Sequence, residues 1–197
     1  MINKRRVLIT GLGMATSLGL DVEENWHKAL SGISGIGKLS LPHTENSPVR
    51  AVGSITEADW NRIQHEFRDD AAKEGERRTL FALWAAQSAL KDAGLVTSAS
   101  SVKRQALNSE LGIPISNLRS DRCGVVMAAG LGINRLEDIH RWTNKDGKFD
   151  YLKFGQEYKD VHRESLVKNN SNRPASLIAE RFCLHGYNAT ITTACAS

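Results

Sequence analysis

The sequence predicts an α/β fold with a largely parallel sheet. Three observations carry this. Short, near-continuous apolar runs end in glycines, as strands buried on both faces do. Amphipathic helical stretches separate those runs. The order reads strand, helix, helix, strand, helix, helix, strand.

The elements follow in chain order. Residues 6–10 are apolar and β-branched and stop at Gly11-Leu12-Gly13, which reads as a strand with a tight exit turn. In the helix over 21–30, Asp21 sits at the N-cap and Glu24 three residues later. Val22, Trp26, Ala29 and Leu30 form its buried face, and Gly32 and Gly35 end it. Residues 33–60 read as irregular, with a short edge strand over 49–55. A strong helix spans 77–93, where Leu80, Leu83, Trp84, Gln87 and Leu90 fall at helical spacing and Gly94 supplies the stop. Residues 96–119 are polar and read as loop. Residues 122–129 read as a second strand ending at Gly130 and Gly132, and 133–142 as a helix. Residues 146–171 are charged and carry no clear pattern. Pro174 opens a further helix that Gly186 closes, and 189–194 form the third strand.

Composition narrows the classes. The chain has 197 residues, 41% hydrophobic and 24% charged, which excludes a wholly disordered or fibrous protein. A chain this long buries a core without disulfide staples. No run of about 18 apolar residues occurs, so no membrane span is expected. The net charge of +4 is mild and its basic residues are interleaved with acidic ones, so nucleic-acid binding is not expected. The basic clusters Lys4-Arg5-Arg6 and Arg77-Arg78 read as solvated edges. Three widely spaced cysteines, Cys123, Cys183 and Cys195, argue against a disulfide framework and for a reducing, cytoplasmic setting. The histidines and cysteines form no metal motif, so no metal site is expected. The fingerprint GxGxxG is incomplete, since Thr16 stands where its last glycine belongs, so no dinucleotide cofactor is expected.

Cys195 is the sharpest chemical feature. It lies in Thr193-Ala194-Cys195-Ala196-Ser197, a run of small side chains following a strand. A thiol on a strand-to-helix turn is exposed like the serine of a nucleophile elbow. The N–H groups of a helix starting there favour the thiolate. The alternative is a small cysteine packed in the sheet, and the residues alone leave both open. Cys123 and Cys183 lie inside apolar elements and read as core.

Several segments in order resemble one family. Val7-Leu8-Ile9-Thr10-Gly11-Leu12-Gly13-Met14 with Ser17-Leu18-Gly19 is similar to its opening strand. Residues 82–95 resemble its long helix. Gly124-Val125-Val126-Met127 with Gly130-Leu131-Gly132 resembles its second strand and glycine turn. Asn172, Pro174 and Gly186 fall at family landmarks, and Thr193-Ala194-Cys195-Ala196-Ser197 is similar to the nucleophile motif. On these residues the chain resembles the N-terminal half of a β-ketoacyl-acyl carrier protein synthase, a ketosynthase of the thiolase superfamily.

The resemblance implies a thiolase-like fold, a layered α/β/α half that is incomplete without its second half, with residues 1–197 as the N-terminal domain ending at the nucleophile motif. It implies a decarboxylative Claisen condensation in fatty-acid or polyketide synthesis. Cys195 is then the catalytic nucleophile, with its backbone N–H in the oxyanion hole. Leu131, within Gly130-Leu131-Gly132, lines or gates the acyl tunnel, or else is a plain core leucine. The partner implied is an acyl carrier protein presenting acyl groups on phosphopantetheine, with no cofactor. The family is about twice this length, and its second half carries two catalytic histidines and a lysine. None of the six histidines here matches those motifs. A companion polypeptide or a C-terminal half of a longer chain is therefore expected, and a dimer of complete units. The rivals are a thiolase-like enzyme acting on coenzyme A thioesters and a non-catalytic interaction subunit in which Cys195 is structural.

Overall fold

A computed structural model describes residues 6–40, 44–96, 118–130, 140–158 and 170–193. Among them, in chain order, are α1 (Val22–Leu30), β1 (Ile36–Lys38), β2 (Ala51–Gly53), α2 (Glu57–Glu66), α3 (Arg68–Glu74), α4 (Arg77–Asp92), β3 (Val125–Ala128), α5 (Tyr151–Glu157), α6 (Arg173–Phe182) and β4 (Asn188–Ile191). β1 pairs antiparallel with β2, and β3 pairs parallel with β4. The mixed α/β class holds, and the second and third expected strands are found paired in parallel. The expected parallel character does not extend to β1 and β2.

The helices form where capping and burial agree. In α1, the Asp21 carboxylate accepts from the N–H groups of Glu23 and Glu24, at 2.9 and 3.1 Å. Glu24 does not close a capping box. It pairs forward with Lys28, 2.7 Å away, as an i,i+4 neighbour. Gly32, at φ +70°, ends α1, with the Ile33 N–H donating to the Lys28 carbonyl. The same device ends α4, where Gly94 has φ +68° and the Leu95 N–H donates to the Leu90 carbonyl.

The face expected to bury α1 is overturned. Trp26 is 63% exposed and Leu30 67% exposed, while Asn25 is buried. Asn25 finds partners in Thr16 Oγ1 and the Asp21 carbonyl, which removes the usual penalty on a buried amide.

α2 and α3 occupy a stretch for which the sequence pattern predicts no helix. Thr56 caps α2 by accepting from the Asp59 N–H at 3.1 Å. Ile63 and Phe67 then point to the core, and Trp60 meets Phe81 of α4 edge-on, with ring centroids 5.8 Å apart. α4 packs on α6, burying Leu80 and Leu83 in one cluster with Ile178 and Phe182. Each such side chain contributes roughly 1.5–3 kcal/mol. A buried ion pair ties α3 to α6: Arg173 donates to Glu74 through Nη2 at 2.5 Å and Nε at 3.0 Å. The hydrogen bond to Glu74 holds the Arg173 guanidinium above its ordinary pKa.

The expected first strand is absent. Residues 6–10 pair with no strand, and Val7 is 92% exposed. Gly11 and Gly13 make no positive-φ turn either. They lie against the backbone of α4. A Cβ on Gly11 would stand 2.7 Å from the Ala93 nitrogen, and one on Gly13 2.6 Å from the Ala89 nitrogen. The glycines are there for close approach, and the Leu12 N–H donates to Asp92 of the same helix at 2.9 Å.

Pro174 opens α6 as expected, but Gly186 does not close it. Cys183 does, in the left-handed conformation at φ 54°, with the Leu184 N–H donating to the Ala179 carbonyl at 2.9 Å. Cys183 is therefore a half-buried helix terminus and not an interior core residue, whereas Cys123 packs against the core. The ambiguous charged stretch contains α5, which follows a turn at Gly147. There Trp142 stacks edge-on with Phe154 at 5.0 Å. The expected loop over 96–119 lies mostly outside the described residues, as does the helix over 133–142 up to His140.

Candidate functional site at the carboxyl end of the parallel pair

Two glycines bring β3 and β4 together. A Cβ on Gly124 would stand 2.9 Å from the Tyr187 nitrogen, and one on Gly186 2.7 Å from the Cys123 carbonyl oxygen. Neither site admits a larger residue without moving backbone. The Gly186 N–H donates to Cys123 at 2.9 Å, and the Val125 N–H donates to Tyr187 at 2.8 Å. The ladder runs on in register, Val125 opposite Asn188 and Ala128 opposite Ile191. It extends one step further, where the Ala129 N–H donates to the Ile191 carbonyl at 3.1 Å.

Because the strands are parallel, their carboxyl ends lie side by side. In open α/β sheets, that end is where ligands and reacting groups gather. β3 runs toward Gly130-Leu131 and β4 toward Thr193-Ala194-Cys195. Leu131 and Cys195 themselves lie outside the described residues. What the described residues establish is that the strands leading to them are neighbours and end at the same edge.

α6 covers one face of this pair. Val125 and Met127 join the core cluster with Ala175, Leu177 and Ile178. Asn188 donates to the Ala175 carbonyl at 3.3 Å, and Thr190 donates to Asn172 at the start of α6 at 2.6 Å. The other face is apolar and uncovered among the described residues: Val126 is 65% exposed and Ile191 47% exposed. The strands expected to be buried on both faces are thus buried on one.

Behind α6, Arg181 donates to Asp70 of α3 at 3.3 Å. Burial pushes the Asp70 carboxyl above its ordinary value of 3.8, with Arg181 acting against that. Two surface hollows lie along α2, one lined by Asn61, His65 and Arg68, the other by Arg62, Glu66 and Trp84. Neither involves β3 or β4. Among the described residues, no three His, Cys, Asp or Glu side chains are grouped to hold a metal ion, and no helix is long and apolar enough to cross a membrane.

In the sequence Asn172 stands only as a family landmark. Its bond to Thr190 was missed, and so was the Glu74–Arg173 pair. The one sequence signal for the first is an asparagine directly before a helix-opening Arg-Pro, followed by Asn and Thr two apart in the strand.

Residues 4–197 match the family described as the beta-ketoacyl synthase, N-terminal domain. The chain belongs to the β-ketoacyl synthase family. It is 31% identical over 198 residues to a putative mitochondrial 3-oxoacyl-[acyl-carrier-protein] synthase of Schizosaccharomyces pombe, covering 98% of this chain and 40% of that protein. It is 31% identical over 132 residues to 3-oxoacyl-[acyl-carrier-protein] synthase 2 of Staphylococcus aureus, covering 67% of this chain and 27% of that protein. Among solved structures, it is similar to a type II polyketide synthase complex of an acyl-carrier protein with its ketosynthase bound to the hexaketide. The TM-score is 0.61 at 21% identity, covering 96% of this chain and 38% of that one. The fold is accordingly the thiolase-like fold of ketosynthases, in its N-terminal part. The chain spans at most about two fifths of the length of these relatives.

Proposed function

We propose that this β-ketoacyl synthase chain is the N-terminal, nucleophile-bearing domain of a ketosynthase, acting on acyl groups held by an acyl carrier protein. The observation that carries the reading is the parallel β3–β4 pair. Its carboxyl ends lie side by side, so the segments bearing Leu131 and Cys195 start from one edge. The family match supports the chemistry.

The Cys195 thiolate attacks the carbonyl carbon of a carrier-bound acyl thioester. The carrier's thiolate leaves and takes up a proton to become the free thiol. A carrier-bound malonyl group then loses carbon dioxide, and the electron pair of the broken C–C bond becomes a carbanion. That carbon attacks the acyl-cysteine carbonyl, a C–C bond forms, and the Cys195 thiolate leaves. Covalent capture splits acyl transfer from condensation. The Cys195 backbone N–H contributes to the hole that stabilises the oxyanion. Leu131 lines the channel for the acyl chain. Histidine and lysine functions come from a C-terminal half or a companion chain, and the completed unit works as a cytoplasmic dimer.

Intact mass spectrometry on the completed protein tests this. Incubation with an acyl carrier or acyl thioester adds the acyl mass to wild type, to Cys123→Ala and to Cys183→Ala, but not to Cys195→Ala. The two other alanine variants lose about 1 kcal/mol of stability. Loading that persists in Cys195→Ala overturns the assignment. A preference for coenzyme A thioesters favours the thiolase-like rival, and no loading at all favours a non-catalytic subunit.

A further inference from the structure

The seam between α3 and α6 sets acids on one helix against arginines on the other. Asp70 and Glu74 stand one turn apart on α3, and Arg181 and Arg173 reach them from α6. The two carboxylates are not matched equally. Arg173 meets both oxygens of Glu74 and also reaches Glu180 at 3.3 Å. Arg181 gives Asp70 a single contact, Nη1 donating to Oδ2 at 3.3 Å. Its guanidinium lies 5.6 Å from the centroid of the Phe67 ring, and its Nε is buried with no hydrogen-bond partner among the described residues. Arg181 is thus shared between a ring and a carboxylate. It offers Asp70 one donor where Arg173 offers Glu74 two.

Asp70 is therefore the poorly matched charge of the seam. Its side chain is only 15% exposed. The charges acting on it are Arg181 from α6 and Glu74, Lys73 and Asp69 from α3. Burial is the largest influence, and the like charge of Glu74 acts in the same sense. Arg181 and Lys73 oppose them, and the carboxyl stays above its ordinary value of 3.8.

We propose that the α3–α6 seam is a clasp that tightens on acidification, with Asp70 as the side chain that takes up the proton. Protonation removes a poorly matched charge from the seam and ends its repulsion with Glu74. The neutral carboxyl still accepts from Arg181 through its carbonyl oxygen. The sign follows from linkage. A carboxyl whose folded value lies above its unfolded one holds its proton more tightly in the folded chain. Its contribution is fully present below the unfolded value near 3.8 and is lost as pH rises through the higher folded value. A carboxylate that gains stability from its ion pair acts in the opposite direction, so the sign separates the two cases. α6 also packs on β3 and β4, so a firmer clasp firms the backing of the parallel pair. The clasp does not depend on the ketosynthase reading.

The test uses the completed protein. Asp70→Asn stands in for the neutral carboxyl, and Asp69→Asn, at an exposed position of the same helix, is the control. Urea denaturation midpoints are measured from about pH 7 down to about pH 4, the span over which Asp70 changes charge. Asp70→Asn is expected to have a higher midpoint than wild type at neutral pH, and the gap is expected to close as pH falls. Asp69→Asn is expected to show no such closing gap. A midpoint for Asp70→Asn below wild type at neutral pH overturns the clasp, because Asp70 is then an ordinary stabilising ion-pair partner. A gap that does not change with pH overturns it too, as does the same closing gap in Asp69→Asn. Should Asp70→Asn fail to fold, NMR titration of the wild-type carboxyls decides. Asp70 titrating above Asp69 supports the clasp, and Asp70 titrating at or below Asp69 overturns it.

Discussion

Glu74 is almost wholly buried, at 1% exposure, and its charge is tolerable there because Arg173 meets both carboxylate oxygens. The pair spans α3 and α6, so its loss reaches the helix that backs β3 and β4. Replacing one partner of a buried pair costs more than the pair itself contributes, because the other charge is left desolvated. Such losses run to roughly 3–5 kcal/mol. Arg173 keeps a contact to Glu180 when Glu74 is removed, so it is Arg173→Ala, which strands the buried Glu74 carboxylate, that is expected to destabilise the protein by about that much, read as a fall in denaturation midpoint. Glu74→Met with Arg173→Met, which removes both charges, is expected to recover most of the loss. A single variant that melts with wild type would show that the pair is solvated. By contrast, the Lys28–Glu24 pair on α1 is more than a third exposed on both sides, and its removal is expected to change little.

Glycines set where the elements meet. Gly13 lies against α4, where an added Cβ would press on the Ala85 carbonyl and stand 2.6 Å from the Ala89 nitrogen. Helix backbone cannot yield as a side chain does, so Gly13→Ala is expected to cost about 1–3 kcal/mol. Gly155 in α5 meets nothing within 4 Å, and Gly155→Ala is expected to gain about 0.5–1 kcal/mol from helix propensity. Chemical denaturation of both variants checks the opposite signs. The Gly11-Leu12-Gly13 motif was visible in the sequence, yet its reason was not. A glycine pair after an apolar run fits a turn as well as a close approach, and only the position of α4 separates them. α4 was legible because its apolar spacing and its Gly94 stop agree with its burial, α6 because Pro174 marks its start, and β3 because its apolar run is intact although only one face is buried. α2 and α3 were not. Ile63 and Phe67 there sit among charges, although Thr56 followed by acidic residues marks the start. α1 misled for the opposite reason, since its apolar face is present but uncovered. In the candidate site, Cys195 rests on the sequence motif alone, since it lies outside the described residues, while the Asn172–Thr190 bond depends on how α6 lies over β4.

At the scale of the molecule, two strand segments among the described residues leave apolar surface open, in addition to the face of α1. Val7, Leu8 and Ile9 form an extended run with no strand partner, each at least 75% exposed. Val126 and Ile191 share the face of β3–β4 that α6 does not cover. Both described sheets have two strands, a size that is marginal in water unless it packs against a helix, as β3–β4 does on α6 through one face only. Unpaired strand edges and contiguous apolar faces promote association. Residues 1–197 expressed alone are therefore expected to give no monomeric, cooperative melt. They should bind a hydrophobic dye and self-associate on sizing. A polypeptide that pairs the 6–10 run and covers Val126 and Ile191 should abolish the dye binding and restore one cooperative transition. Lys placed at Val126 separates this from general instability. It should make the isolated chain more soluble, yet block completion by burying a charge in the same face. A monomeric chain melting cooperatively at about 45–65 °C, as ordinary domains do, would show that these faces need no cover.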